Sequence, residues 1–219
     1  MKNSILILDN VISDKALLDW VANANIPTGT FIKKNDVLER TGFYEQDMLR
    51  QVIGQIWFNA AFELIAPMED DLVGFEIWSN SLPDDFSLAN LAGGRGGLNY
   101  HVDKDENASK RSNGEVLHHS LYGATLYASP DDSEMIGGNL YVDTSGLENY
   151  RKYYKGDNVI DLNTGSWVKV PFKKNRLVVF DGSYPHFVEP ILDIKTGKKR
   201  VGIQVNPWDR ELEKKSNEV

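Results

Sequence analysis

Cysteine is absent from the 219 residues, which removes a disulfide framework, a thiolate zinc site and a cysteine nucleophile. Any metal must then be held by His, Asp or Glu, and histidine is scarce, with four residues, so the histidine constellations can be weighed almost exhaustively. Long apolar runs are missing too. The N-terminal run Ile5-Leu6-Ile7-Leu8 stops at Asp9, too short for a signal-peptide core and far too short to span a bilayer. The expectation is a cytoplasmic protein with no membrane partner. Positive charge is in deficit, with 24 Lys plus Arg against 32 Asp plus Glu and a net charge of −8. A field that gathers nucleic acid is therefore not expected.

The composition, 41% hydrophobic with 26% charged residues, lies far from the signature of disorder, and the length suits one domain over 1–219. No repeat or low-complexity stretch divides the chain. A helical part occupies mainly 1–70: Ile5 to Ile12 reads as a short strand, and Ser13 as the N-cap of a helix through Ala16, Leu17, Trp20 and Val21. From Glu45 to about Pro67, Leu49, Val52, Ile53, Ile56, Trp57, Ala60 and Leu64 recur on one helical face. After Asp71 the period changes to two. Strand candidates follow at Val73 to Trp78, Leu98 to Asp103, Leu117 to Ala128, Asn139 to Asp143, Trp167 to Pro171, Arg176 to Phe180 and Arg200 to Val205. The pattern predicts a mainly β jelly roll over about 71–208, with N-terminal helices packed on its sheet. The charged tail 209–219 is expected to fray.

The four histidines are His101, His118, His119 and His186. In Tyr100-His101-Val102-Asp103, strand period places an imidazole and a carboxylate on one face, where both can meet one ion. His118 and His119 are adjacent and point to opposite faces of a strand. The apolar run Leu177 to Phe180 leads through Asp181-Gly182-Ser183-Tyr184-Pro185 into His186. Fourteen residues later, Arg200-Val201-Gly202-Ile203-Gln204-Val205 alternates, with Val201, Ile203 and Val205 on one face and Arg200, Gly202 and Gln204 on the other. An arginine beside a residue without a side chain suits a cavity for a small carboxylate.

This set, His101-x-Asp103, His186 in Pro-His-x-Val-x-Pro and the following Arg200, resembles the iron(II)- and 2-oxoglutarate-dependent oxygenases, in particular their prolyl-hydroxylase-like branch. The resemblance runs over about Leu98 to Trp208, and Gly137-Gly138-Asn139-Leu140 is similar to a Gly-Gly strand start of that family. It implies a double-stranded β-helix in which His101, Asp103 and His186 hold Fe(II) as a facial triad with open positions for the co-substrate and O2. Arg200 would pair with the far carboxylate of 2-oxoglutarate through its planar fork. Tyr127, Thr125 and Leu140 would line the same pocket. The implied activity is hydroxylation of an unactivated carbon with decarboxylation of 2-oxoglutarate to succinate, and ascorbate as supporting reductant. Related halogenases carry a small residue where Asp103 stands, so hydroxylation is implied rather than chlorination. The substrate reading is a prolyl residue of a protein or peptide. Its alternatives are a free amino acid, sugar or other small metabolite, or a non-catalytic cupin-like binding module.

Other features stay open. Lys198 shares the inward face as a second cation, and Asp193 to Gly197 reads as an extended hairpin turn. Glu148 to Lys155 interleaves aromatic and basic residues in a loop that either grips an anionic substrate or packs its tyrosines on the sheet edge. Gly93 to Gly97 is not a phosphate loop, because no helix follows it. The stretch Ile26 to Gly42 lies where related enzymes carry a lid.

Overall fold

A computed structural model describes residues 5–38, 44–82, 98–154, 160, 162–163 and 165–213. The elements, in chain order, are β1 (Leu6–Asp9), α1 (Lys15–Asn23), β2 (Thr30–Lys33), α2 (Lys34–Leu38), α3 (Tyr44–Gln55), α4 (Phe62–Ile65), β3 (Gly74–Leu82), β4 (Leu98–His101), α5 (Glu106–Arg111), β5 (Tyr122–Ser129), β6 (Met135–Gly137), β7 (Leu140–Asp143), α6 (Leu147–Tyr154), β8 (Trp167–Val170), β9 (Arg176–Asp181), β10 (His186–Val188), β11 (Ile191–Ile194) and β12 (Arg200–Trp208). A six-stranded sheet runs β1-β9-β5-β12-β3-β2 and a four-stranded sheet runs β4-β10-β7-β8, both antiparallel throughout. This is the double-stranded β-helix expected from the sequence. Gly93 to Gly97 lies outside the described residues, as does the end of the Ile26 to Gly42 stretch. The described part of that stretch adds β2 to the edge of the large sheet. Among the described residues no helix is long and apolar enough to cross a membrane.

The period-two alternation decides which face of the large sheet meets the helices. Ala124, Leu126, Val201, Ile203 and Val205 face outward and pack with Leu17, Val21, Val52, Ile53, Ile56 and Trp57 in one buried cluster. Trp57 is fully buried and donates its indole N–H to the Val205 carbonyl at 2.8 Å. Each such large side chain contributes roughly 1.5–3 kcal/mol by leaving water. The opposite face turns into the gap between the sheets, where Tyr127, Leu140, Val142, Val178 and Phe180 form a second cluster.

Local chemistry revises several sequence expectations. Asp14, not Ser13, caps α1: its carboxylate accepts from the Ala16 and Leu17 amides at 2.8 and 3.3 Å. The long helix is interrupted by a π segment, Ile56–Ala60, and ends in the 3-10 turn Ala66–Met68. The residues from Asp193 to Gly197 do not form a hairpin with β12. Ile191–Ile194 instead pairs with Met135–Gly137 in a two-stranded sheet of its own. Glu148 to Tyr154 is helical rather than a loop, supported by a Glu148–Lys152 ion pair one turn apart, and Lys155 lies outside the described residues. Its Tyr150 and Tyr153 pack on Tyr100 of the edge strand β4.

The first residues of the tail do not fray. The buried Asp105 carboxylate caps α5 through the Asn107 and Ala108 amides and takes a third bond from the Glu213 amide at 2.8 Å. Arg111 pairs with the Glu213 side chain. Burial of a carboxylate is costly without hydrogen-bond donors, and the Glu213 amide supplies one.

Candidate metal centre

β4 and β10 run antiparallel with His101 directly opposite His186, so both imidazoles leave the sheet on one side, with ring centroids 4.3 Å apart. β4 stops at His101, and Asp103 lies just beyond it, yet its carboxylate still faces both rings. Its Oδ1 is 3.5 Å from His101 Nε2 and its Oδ2 is 3.8 Å from His186 Nε2. One ligand atom from each of the three residues lies within 4.8 Å of the others. His118 and His119 stand elsewhere. His118 Nδ1 meets Arg210 at 2.8 Å, and His119, bridged to Lys104 rather than placed in a longer strand, turns its Nδ1 to the Ser120 carbonyl.

The tautomers of the facing histidines follow from their second nitrogens. His101 Nδ1 lies 2.6 Å from the Asn99 carbonyl and His186 Nδ1 lies 3.2 Å from the Tyr184 carbonyl. A carbonyl only accepts, so each Nδ1 donates, and Nε2 of the neutral ring keeps its lone pair for an ion. Burial and the charge of His101 push the His186 pKa down to about 4, which keeps that ring neutral near pH 7. Burial is the largest influence on His101 and acts to lower its pKa, but the bond and the charge of Asp103 with the Asn99 carbonyl together outweigh it, and the net shift is upward. Desolvation would raise the Asp103 carboxyl, yet both imidazoles and Asn206 hold it well below the usual carboxylate range. The arrangement offers two imidazole nitrogens and an ionised carboxylate, a donor set suited to a divalent iron.

Arg200 enters the same space from β12 with only 1% of its surface exposed. Its Nε donates to the Gly138 carbonyl at 2.9 Å, and its guanidinium lies over the Tyr127 ring (5.0 Å) and near that of Phe172 (5.8 Å). Arg200 Nη2 and the Tyr127 hydroxyl are buried without a hydrogen-bond partner. Among the described residues no carboxylate pairs with this guanidinium, and a buried cation left so costs several kcal/mol. A guanidinium held in this way can receive a carboxylate through its planar fork. Lys198 lies on the surface, half-exposed and paired with Glu134 at 3.3 Å. Thr125, Leu140, Trp78 and Gln204 line the cleft between the triad and Arg200.

The structure thus gathers His101, Asp103, His186, Arg200, Thr125 and Leu140 around one cleft, with Tyr127 against Arg200. Sequence reasoning missed Asn206, whose carboxamide donates to Asp103 Oδ2 at 2.9 Å. The signal was available, since Asn206 continues the inward series Arg200, Gly202, Gln204. It also missed Gly138 as the acceptor for Arg200 Nε, and Phe172.

Solved structures carry the same architecture. Over 97% of this chain and 88% of the other, it overlays on a prolyl-4-hydroxylase from Pseudomonas putida at 15% identity and a TM-score of 0.52. A prolyl hydroxylase from Trichoplax adhaerens, solved with a hypoxia-inducible-factor peptide fragment, gives 0.50 at 13% identity over 94% and 84%. A 2OG-Fe(II) oxygenase family member from Burkholderia pseudomallei gives 0.50 at 8% identity over 94% and 86%. The chain has the 2OG-Fe(II) oxygenase fold. No protein-family profile and no curated sequence matches it, so the likeness to these oxygenases is one of architecture.

Proposed function

We propose that the protein is an iron(II)- and 2-oxoglutarate-dependent oxygenase that hydroxylates an unactivated carbon, with a prolyl residue of a peptide or protein as substrate. The observation that carries this reading is the convergence of His101, Asp103 and His186 within 4.8 Å, with both Nδ1 atoms already committed to backbone carbonyls. The buried, unpartnered Arg200 Nη2 and Tyr127 hydroxyl make the cleft fit a dicarboxylate co-substrate as well. When bound, iron with 2-oxoglutarate and O2 supplies the oxidation, one oxygen atom going to the substrate carbon and one to succinate as CO2 leaves.

The chain's own residues bind and orient. His101, Asp103 and His186 would hold the metal. Arg200, fixed by Gly138 and the two aromatic rings, would pair with the far carboxylate, and Tyr127 would donate its hydroxyl to the same group. Beside them, Gly202 leaves space: a methyl group there would meet no atom of the protein closer than 3.5 Å. Leu140 gives the cleft an apolar wall, which strengthens the ion pair by excluding water. The prolyl substrate rests on the two prolyl hydroxylases that share the fold.

The test supplies Fe(II), 2-oxoglutarate, ascorbate and air, with and without proline-containing peptides, and follows succinate and peptide mass. Succinate from the wild-type protein, its loss in Asp103→Ala, and the gain of one oxygen on a peptide are expected. Succinate without any oxygenated peptide would reject the prolyl substrate, and no succinate at all would reject the oxygenase.

A further inference from the structure

Asn206 is fully buried and lies two residues beyond Gln204 on the inward face of β12. Its carboxamide is used at both ends: Nδ2 donates to Asp103 Oδ2 and Oδ1 accepts the Ala124 amide, each at 2.9 Å. Both partners work one way, since an amide N–H only donates and an ionised carboxylate only accepts. Chemistry therefore fixes which way the carboxamide points.

The two residues joined by this bond differ in how firmly the backbone holds them. β12 pairs with β3 along its whole length, with Asn206 opposite Glu76. On its other side the ladder with β5 reaches Gln204 opposite Thr125, and the Asn206 side chain takes the Ala124 amide beyond that point. Asp103 has no such ladder. β4 ends at His101, and the next backbone pairing is the isolated bridge of Lys104 with His119. The orientation of the carboxylate therefore depends on its side-chain partners, and Asn206 on the central strand engages Oδ2 while His101 faces Oδ1.

We propose that Asn206 is a positioning residue for the metal centre: it engages Asp103 Oδ2 from the rigid sheet, keeps the carboxylate turned toward His101 and His186, and leaves Oδ1 as the ligand atom. The inference rests on the reading of these three residues as metal ligands and adds that the affinity depends on a side chain outside the ligand set. Such outer partners typically govern about 10–100-fold of metal affinity.

The experiment titrates metal-free protein with nickel(II) by calorimetry, nickel being chosen because its strong affinity for imidazole keeps a two-histidine site measurable. Four proteins are compared: wild type, Asn206→Ala, Asp103→Ala and the double variant, each checked by thermal melting without metal. Asn206→Leu, which refills the volume, replaces the alanine variant if that one does not fold. The expected result is about 10–100-fold weaker binding in Asn206→Ala and no further weakening when the same change is made in Asp103→Ala. An equal loss in both backgrounds would assign Asn206 a purely structural role and overturn the proposal, as would unchanged affinity in the single variant. If the wild-type protein binds no nickel, the ligand reading itself fails.

Discussion

His101 and His186 sit directly opposite each other across the β4–β10 pair, 85 positions apart in the sequence, and this register brings two imidazoles to one point. Each ring is then oriented by a backbone carbonyl at Nδ1. Asp103 completes the set from beyond the end of β4, and Arg200 lies deeper in the cleft with an unsatisfied guanidinium nitrogen.

Arg200→Ala should raise the apparent KM for 2-oxoglutarate about 10–100-fold, the scale of roughly 1.5–3 kcal/mol for hydrogen bonds to a charged group. Lys198→Ala should change it less than about threefold, because a half-exposed lysine paired with Glu134 is not among the residues that line the cleft and such a surface pair contributes little. Succinate formation measures both without a prime substrate. A larger effect from Lys198 would contradict the assignment.

Gly138 should tolerate no side chain. Its φ is +66°, and a methyl group there would stand 3.1 Å from Arg200 Cδ and 3.3 Å from Nε. Gly138→Ala should therefore displace Arg200 and weaken 2-oxoglutarate binding, with about 1–2 kcal/mol lost in stability from the left-handed backbone. A KM equal to that of the wild type would show that Arg200 is not held in this way.

Glu76 gives the metal-free protein a pH dependence of known sign. Burial, with the charge of Asp103 second, raises its carboxyl to about 7, above its value in the unfolded chain. The folded state thus binds the extra proton, and this stabilisation is complete below about pH 4.5 and is lost as pH rises through 7. Glu76→Gln should remove the dependence and raise stability by about 2 kcal/mol at pH 8, with little change at pH 4. Urea unfolding at the two pH values measures it, and equal shifts at both would contradict the shifted carboxyl.

Much of this was legible in the sequence because the informative residues are few. Four histidines leave few possible pairs, and the alternation in Arg200 to Val205 separates the helix-packed face from the inward one without reference to any other strand. What was not legible depended on contacts between distant segments. Asp14 and Ser13 are both good caps, and only the backbone geometry chooses between them. The helix at Leu147–Tyr154 was hidden because its buried face is tyrosine packed on Tyr100 of another sheet strand, although the Glu148–Lys152 spacing was a helical signal. The docking of Glu213 on Asp105 joins residues 108 positions apart. The alternation places Asn206 on the inward face one residue beyond the strand read from the sequence, but only the folded chain identifies Asp103 as its partner.

The most direct test is calorimetric titration of metal-free protein with manganese(II), a redox-silent substitute for iron. The account expects one ion bound per chain in the wild type, and in His101→Ala a loss of affinity beyond the ~100-fold that removal of an outer partner costs. Equal affinity in the two proteins would mean that His101, Asp103 and His186 do not form a metal site, and the account would be wrong at its centre.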